Sequence, residues 1–210
     1  MLVYIRWLCP CRWYIICNYL PSKESLMEKV KLLYSGITQL VDSSDLYLIV
    51  LENMEKTRQI AIVCNEDIER ELAKRLVEHA DTSTCLPEVM CLIHPMMNNL
   101  HYEILISGIT DGNYKAFLIN KDDLSYTPIR VTDAILIALV ARLEIYIDEQ
   151  LFRHQSCAIN INTERVALPI NALNTDMLKS ALDKAIASED YESASYIRDE
   201  LNRRNNRDKA

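Results

Sequence analysis

The distribution of apolar and polar positions divides this chain into a region of short β-type runs and a region of helical spacing. Residues 30–37, 46–51 and 58–63 are rich in β-branched and aromatic side chains and are joined by the polar segments 42–45 and 53–57, which predicts three strands. Ile68, Leu72, Arg75-Leu76 and His79 then recur at helical intervals, giving a helix over 66–78, and a weaker helical run covers 87–93. Residues 102–107 and 114–119 flank Asp111-Gly112, a dipeptide that favours a tight hairpin, and 125–129 supplies one more strand. The run 132–143 is apolar almost all round, as a buried helix must be. A short strand over 145–147 follows, and 148–153 closes the unit. Strands in runs with helices between them predict an α+β fold built on a mixed sheet with packed helices.

Beyond residue 175 the period changes. Leu178, Ala181, Leu182, Ala185 and Ile186 lie on one helical face, and Tyr191, Ala194, Ile197 and Leu201 repeat every three or four positions. Ser188-Glu189-Asp190 interrupts the pattern, with Asp190 placed to cap the second helix and Glu192 in its first turn, where the helix dipole favours negative charge. The prediction is a C-terminal two-helix antiparallel hairpin over 176–210. Helices this short are marginal in isolation, so the stripes need cover. A partner reached through Leu178, Leu182, Ala185, Ile186, Tyr191, Ala194, Ile197, Arg198 and Leu201 would supply it, and so would the hairpin's own domain if it folds back.

The hairpin resembles a known family. Leu182, Ala185-Ile186, Glu189-Asp190-Tyr191-Glu192, Ala194 and Ile197-Arg198-Asp199-Glu200-Leu201 are similar to the UVR motif, through which UvrB and UvrC associate in bacterial excision repair. That resemblance implies antiparallel pairing with a second hairpin, in a homo-oligomer or in a UVR-containing protein. A second resemblance lies upstream: residues 46–62, and above all Ile129-Arg130-Val131-Thr132-Asp133-Ala134-Ile135 followed by Ala138-Leu139 and Ile145-Tyr146, look like the bifunctional nuclease domain family of bacteria and plants. It implies cleavage of DNA and RNA by some members. The expected layout is an N-terminal extension over 1–26, a nuclease-like domain over 27–154, a linker over 155–175 and the hairpin over 176–210. Two departures bear on activity. Asn65 stands where the family has a glycine-containing turn, and Asp81-Thr82-Ser83-Thr84-Cys85-Leu86-Pro87 replaces a segment that carries a histidine in the family, so this copy is a candidate for lost catalysis.

Chemistry around Arg130 can be argued from the residues alone. Thr132 is placed to cap the buried helix, and the positive end of that helix with Arg130 beside it makes a phosphate site. Asp133, one residue inside, could hold a divalent metal or orient a water. Arg130, Thr132 and Asp133 are therefore the candidate catalytic residues, and the competing arrangement is a capped helix with a local Arg130–Asp133 ion pair. Asp122-Asp123 and Glu66-Asp67-Glu69-Glu71 are acidic clusters to which Mg2+ or Mn2+ could bind, although such runs are commonly solvated. His79, His94, His101 and His154 are scattered. With only Gly36, Gly108 and Gly112 in the chain, a glycine-rich phosphate loop and a nucleotide cofactor are not expected.

Composition changes this picture in four ways. The 210 residues are 50% apolar and 25% charged, enough for one domain with a real core plus an appendage. Between 27 and 154, 12 Lys and Arg stand against 20 Asp and Glu, which weakens any attraction to a polyanion that metal or a partner does not mediate. Seven cysteines, an odd number without a CxxC pair, fit a reduced, cytoplasmic protein. Residues 1–26 hold both tryptophans and are broken by Arg6, Arg12 and Pro10, too interrupted for a membrane span, and they lack a signal-peptide cleavage site. Translation from Met27 is the expectation. Taken together, the sequence predicts a nuclease acting on DNA and RNA with divalent-metal assistance and a protein-interaction hairpin. The alternative is a catalytically degenerate scaffold that oligomerises or joins a repair or stress complex through that hairpin.

Overall fold

The computed structural model describes residues 28–40, 45–77, 80–159 and 169–207. The N-terminal extension, the start at Met27 and residues 160–168 of the linker lie outside the described residues. Eight strands form one mixed sheet: β1 (Lys29–Gln39), β2 (Leu46–Asn53), β3 (Arg58–Asn65), β4 (Tyr102–Thr110), β5 (Asn113–Asn120), β6 (Tyr126–Arg130), β7 (Glu144–Asp148) and β8 (Cys157–Ala158), in the order β6-β5-β4-β7-β1-β2-β3-β8. All neighbours are antiparallel except β4 and β7. A parallel pair needs a long crossover, and β5, β6 and helix α3 (Val131–Ala141) supply it. The α+β class and the terminal helix pair are as the sequence predicts.

Alternation decides which face is covered. Leu32, Ile49, Leu51, Ile60, Ile62, Ile104, Ile106, Ile145 and Ile147 occupy alternate positions and form one buried cluster with α3. Helix α2 (Leu86–Ile93) packs on α3, whereas α1 (Glu66–Leu76) lies against β2, β3 and α3, with Leu72 fully buried. The expected helix over 66–78 stops at Leu76, which is exposed, and His79 lies outside the described residues. Asn65 caps α1 by accepting from the Ile68 amide at 3.3 Å, a contribution of about 1 kcal/mol for such caps. After β7, helix α4 (Glu149–Gln155) is capped by Asp148, and β8 adds a two-residue edge inside what the sequence suggests is linker.

Asp111 and Gly112 both have positive φ, at 51° and 82°, the geometry of the primed two-residue turns that match strand twist. Here the C-terminal unit attaches. A short 3-10 turn, Ile170–Ala172, leads to α5 (Thr175–Ala187) and α6 (Tyr191–Arg207), and a Cβ added to Gly112 would lie 2.7 Å from the Leu173 carbonyl oxygen. Arg204, almost wholly buried, donates to the Leu173 carbonyl at 2.8 Å and the Asn171 carbonyl at 3.3 Å, pairs with Glu200 at 2.8 Å and lies 3.8 Å from Asp111. One arginine therefore ties α6 to the preceding turn and to the β4–β5 hairpin.

Replacing Gly112 with alanine combines a left-handed backbone with a backbone clash. The expected outcome is a loss of about 1–3 kcal/mol in urea unfolding together with faster proteolysis around residues 169–174. Unchanged unfolding and cleavage would show that this contact does not hold the C-terminal unit.

Candidate nucleic-acid interface

Strand β6 lies at the sheet's edge, where Pro128 costs no ladder bond on the open side. Its register with β5 sets Lys115 opposite Arg130 and Phe117 opposite Pro128. Burial of Val131 draws the helix start one residue earlier than predicted, so Arg130 takes the flanking cap position, without a side-chain capping bond. Thr132 is consequently not the cap; it sits inside the first turn and is buried. The Arg130 guanidinium instead grips Asp133 with two parallel bonds, Nε to Oδ2 at 2.9 Å and Nη2 to Oδ1 at 3.0 Å. Asp133 raises the pKa of Arg130, chiefly through that hydrogen bond. Because Arg130 is 71% exposed, the pair is worth at most about 1 kcal/mol. Its Nη1 edge has no partner among the described residues.

A shallow cavity of about 380 Å3 opens beside this pair, with Tyr114, Lys115, Phe117, Pro128 and Arg130 among its lining. Tyr114 is buried, its hydroxyl has no hydrogen-bond partner, and desolvation raises its pKa. Tyr126 stands edge-on to Phe117, ring centroids 6.0 Å apart, with part of its ring in solvent. Two cations on neighbouring strands next to exposed aromatic surface suit a phosphate backbone with an unstacked base. A divalent ion is less well served. Both Asp133 oxygens are engaged, and among the described residues no three His, Cys, Asp or Glu side chains gather to hold a metal. The acidic runs are occupied too: Asp122 pairs with His101 at 2.7 Å, Asp123 accepts from the Ser125 amide, and Glu66, Asp67 and Glu71 pair with Arg70, Lys74 and Arg75. The described residues do not form a ready divalent-ion centre.

Residues 49–160, more than half of the chain, match the bifunctional nuclease domain. The chain belongs to the bifunctional nuclease domain family. Residues 176–204 match the UvrB/UvrC motif, so both resemblances read from the sequence hold. No curated protein matches the chain. The matched nuclease domain starts inside β2, yet β1 before it is an interior strand, paired with β2 and β7. Residues 81–85 form a local turn in which Asp81 accepts from the Ser83 amide and hydroxyl, and Cys85 stands at the cap position of α2. No helix among the described residues is long and apolar enough to cross a membrane.

In the UvrB/UvrC-type hairpin, Asn174 caps α5 through the Met177 amide and Asp190 caps α6 through the Ser193 amide, the latter as expected. The two stripes face each other. Leu178, Ala185, Ala194 and Ile197 are buried in the hairpin's own interior, with Leu182 and Leu201 packed at its margin. The expectation that so small a hairpin cannot bury its stripes against itself is corrected: Leu173 and the Arg204 clamp complete the cluster. Of the predicted partner residues, Ile186, Tyr191 and Arg198 remain exposed, joined by Tyr196, which the period does not single out.

A second convergence of charge escapes any sequence window. On the sheet face away from α3, Lys29 pairs with Glu103 and Lys31 with Glu144, each at 2.6 Å. Tyr146 donates to Glu144 at 3.0 Å, Lys29 lies 4.0 Å above the Tyr146 ring, and Lys121 lies 3.9 and 3.7 Å from Glu103 and Glu144. The β4–β7 register sets the two glutamates side by side, a repulsive placement that the lysines neutralise. Lys31, then Tyr146, holds the Glu144 carboxyl below its ordinary 4.5, whereas burial, then Glu144, pushes Tyr146 up to about 12. A depressed carboxyl stabilises the fold above its unfolded value and loses that contribution as pH falls through the folded value. Lys31→Met should therefore cost stability at about pH 6 and much less at about pH 3. Urea unfolding at the two pH values checks this, and an equal loss at both would refute the assignment.

Proposed function

We propose that this protein is a nuclease-type enzyme that engages DNA or RNA phosphates at the β6–α3 edge, and that the C-terminal hairpin recruits it through a protein contact. The observation that supports this most is the pairing of Lys115 with Arg130 across the β5–β6 ladder, at the positive end of a buried helix and beside a shallow cavity. In this reading the free guanidinium edge of Arg130 and the Lys115 ammonium neutralise a phosphate and Tyr126 stacks a base, while Tyr114 stays in the core beneath them. Asp133 holds Arg130 in place, a positioning role; with both oxygens taken it is a poor base. Thr132 contributes to the helix start. Mg2+ or Mn2+ assistance belongs to the same proposal, with the ion carried in by the substrate phosphates.

Two observations favour the second reading, a catalytically degenerate member acting as a scaffold: Asp133, Asp122, Asp123, Glu66, Asp67 and Glu71 are engaged in ion pairs or turns, and residues 27–154 carry an excess of acid. The discriminating experiment incubates the full chain with labelled single-stranded DNA and RNA in Mg2+, in Mn2+ and in EDTA. Metal-dependent products that fall at least about tenfold in Arg130→Ala support the enzyme. Binding that weakens in Arg130→Ala, with a salt slope lowered by about 1 and without cleavage, supports the scaffold. Neither cleavage nor binding, or binding indifferent to Arg130, overturns the assignment of this edge.

A further inference from the structure

Among the described residues, helix α2 and the loop after it carry the most concentrated exposed apolar surface. Among residues 86–100 only Glu88 is charged, and it is bound by Arg75 at 2.6 Å. Leu86, Leu92, Ile93 and Leu100 are 71%, 77%, 75% and 75% exposed, and Met96 is 48% exposed. None of the eight α2 residues is buried. Leu76 and Val77, at the end of α1 and next to the Arg75–Glu88 bridge, are exposed as well. A monomer rarely gathers more than a few hundred Å2 of contiguous apolar surface. At roughly 100 Å2 apiece, these seven side chains approach the about 800 Å2 that each partner gives to a standard interface.

We propose that this face is the contact between two copies of the chain, meeting about a two-fold axis. The chain carries a net charge of −7, so two copies repel over most of their surface. The α2 face is the place where that repulsion is least, because its one charge is already neutralised. A patch that meets itself also closes the assembly at two. A membrane surface is the poorer occupant: interfacial helices carry Lys and Arg along their polar side, and residues 86–100 contain none. The face precedes β4, whereas the hairpin attaches at Asp111 and Gly112 beyond its far end. Nine residues at about 3.4 Å each set the start and the end of β4 roughly 30 Å apart.

The test uses the full chain. Light scattering should report twice 24.3 kDa at protein concentrations up to about 100 µM, above the roughly micromolar dissociation constant of a modest interface. Leu92→Glu combined with Ile93→Lys should halve that mass, and Tyr196→Glu on the hairpin should leave it unchanged. Amide exchange across 86–100 in the unaltered chain should slow as concentration rises, a readout that does not depend on how the variant folds. A monomeric mass throughout, a doubled mass that survives the α2 variant but not Tyr196→Glu, or exchange indifferent to concentration would each overturn the proposal. So would sedimentation of the chain with neutral phosphatidylcholine vesicles while it remains monomeric.

Discussion

The rest of the structure depends on the burial of α3. An eleven-residue helix that is apolar on all sides has no solvent face to offer, so it is stable only where neighbours cover it, here the sheet together with α1 and α2. That requirement organises the chain. It carries the polypeptide from the edge strand β6 to the interior strand β7, and it fixes the one parallel pairing of the sheet. The start of the helix is fixed by the same force. Val131 is pulled into the core, the exposed chemistry begins at Arg130, and the cation of the edge strand is thereby set beside the helix's positive end. At the other end the helix stops at Arg142 in a left-handed conformation, a strained site for a residue with a Cβ, which the tight entry into β7 imposes.

The C-terminal unit follows a different logic. Its interior is small, four buried side chains and a few at the margin, and apolar area on that scale supplies only a few kcal/mol before the cost of ordering the chain. Polar specificity supplements it. Arg204 reaches two carbonyls, a glutamate and the neighbourhood of Asp111, bonds that define one orientation of α6 against the β4–β5 turn. A buried arginine left without these acceptors would be costly, so the clamp works all or none.

How much of this was legible in the chain depends on how local its cause is. Strands β1 to β5 were readable because alternation is a property of neighbouring residues, and the Asp111-Gly112 turn because the backbone it needs is written in two side chains. The Asp190 cap and the Arg130–Asp133 pair were readable for the same reason. Thr132 misled as a cap because the choice between positions 130 and 132 is made by how deeply Val131 is buried, a tertiary quantity. Lys115 went unnoticed until strand register placed it opposite Arg130, and the lysine–glutamate array on the far face draws on four separate segments. The hairpin's self-packing was missed because Leu173 and Arg204, which complete it, lie outside the apolar repeat. Helix α2 inverts the usual inference: its apolarity suggests a core helix, and the fold leaves it on the surface.

The clamp at Arg204 also restricts how this family member can change over time. An α-helix turns about 100° and advances about 1.5 Å for every residue. Adding or removing a single residue within α6 ahead of position 204 would swing that position away from its carbonyl acceptors and bring an unrelated side chain to the β4–β5 turn. Length polymorphism should therefore be scarce within that helix, even where the amino acids on its outer surface drift freely.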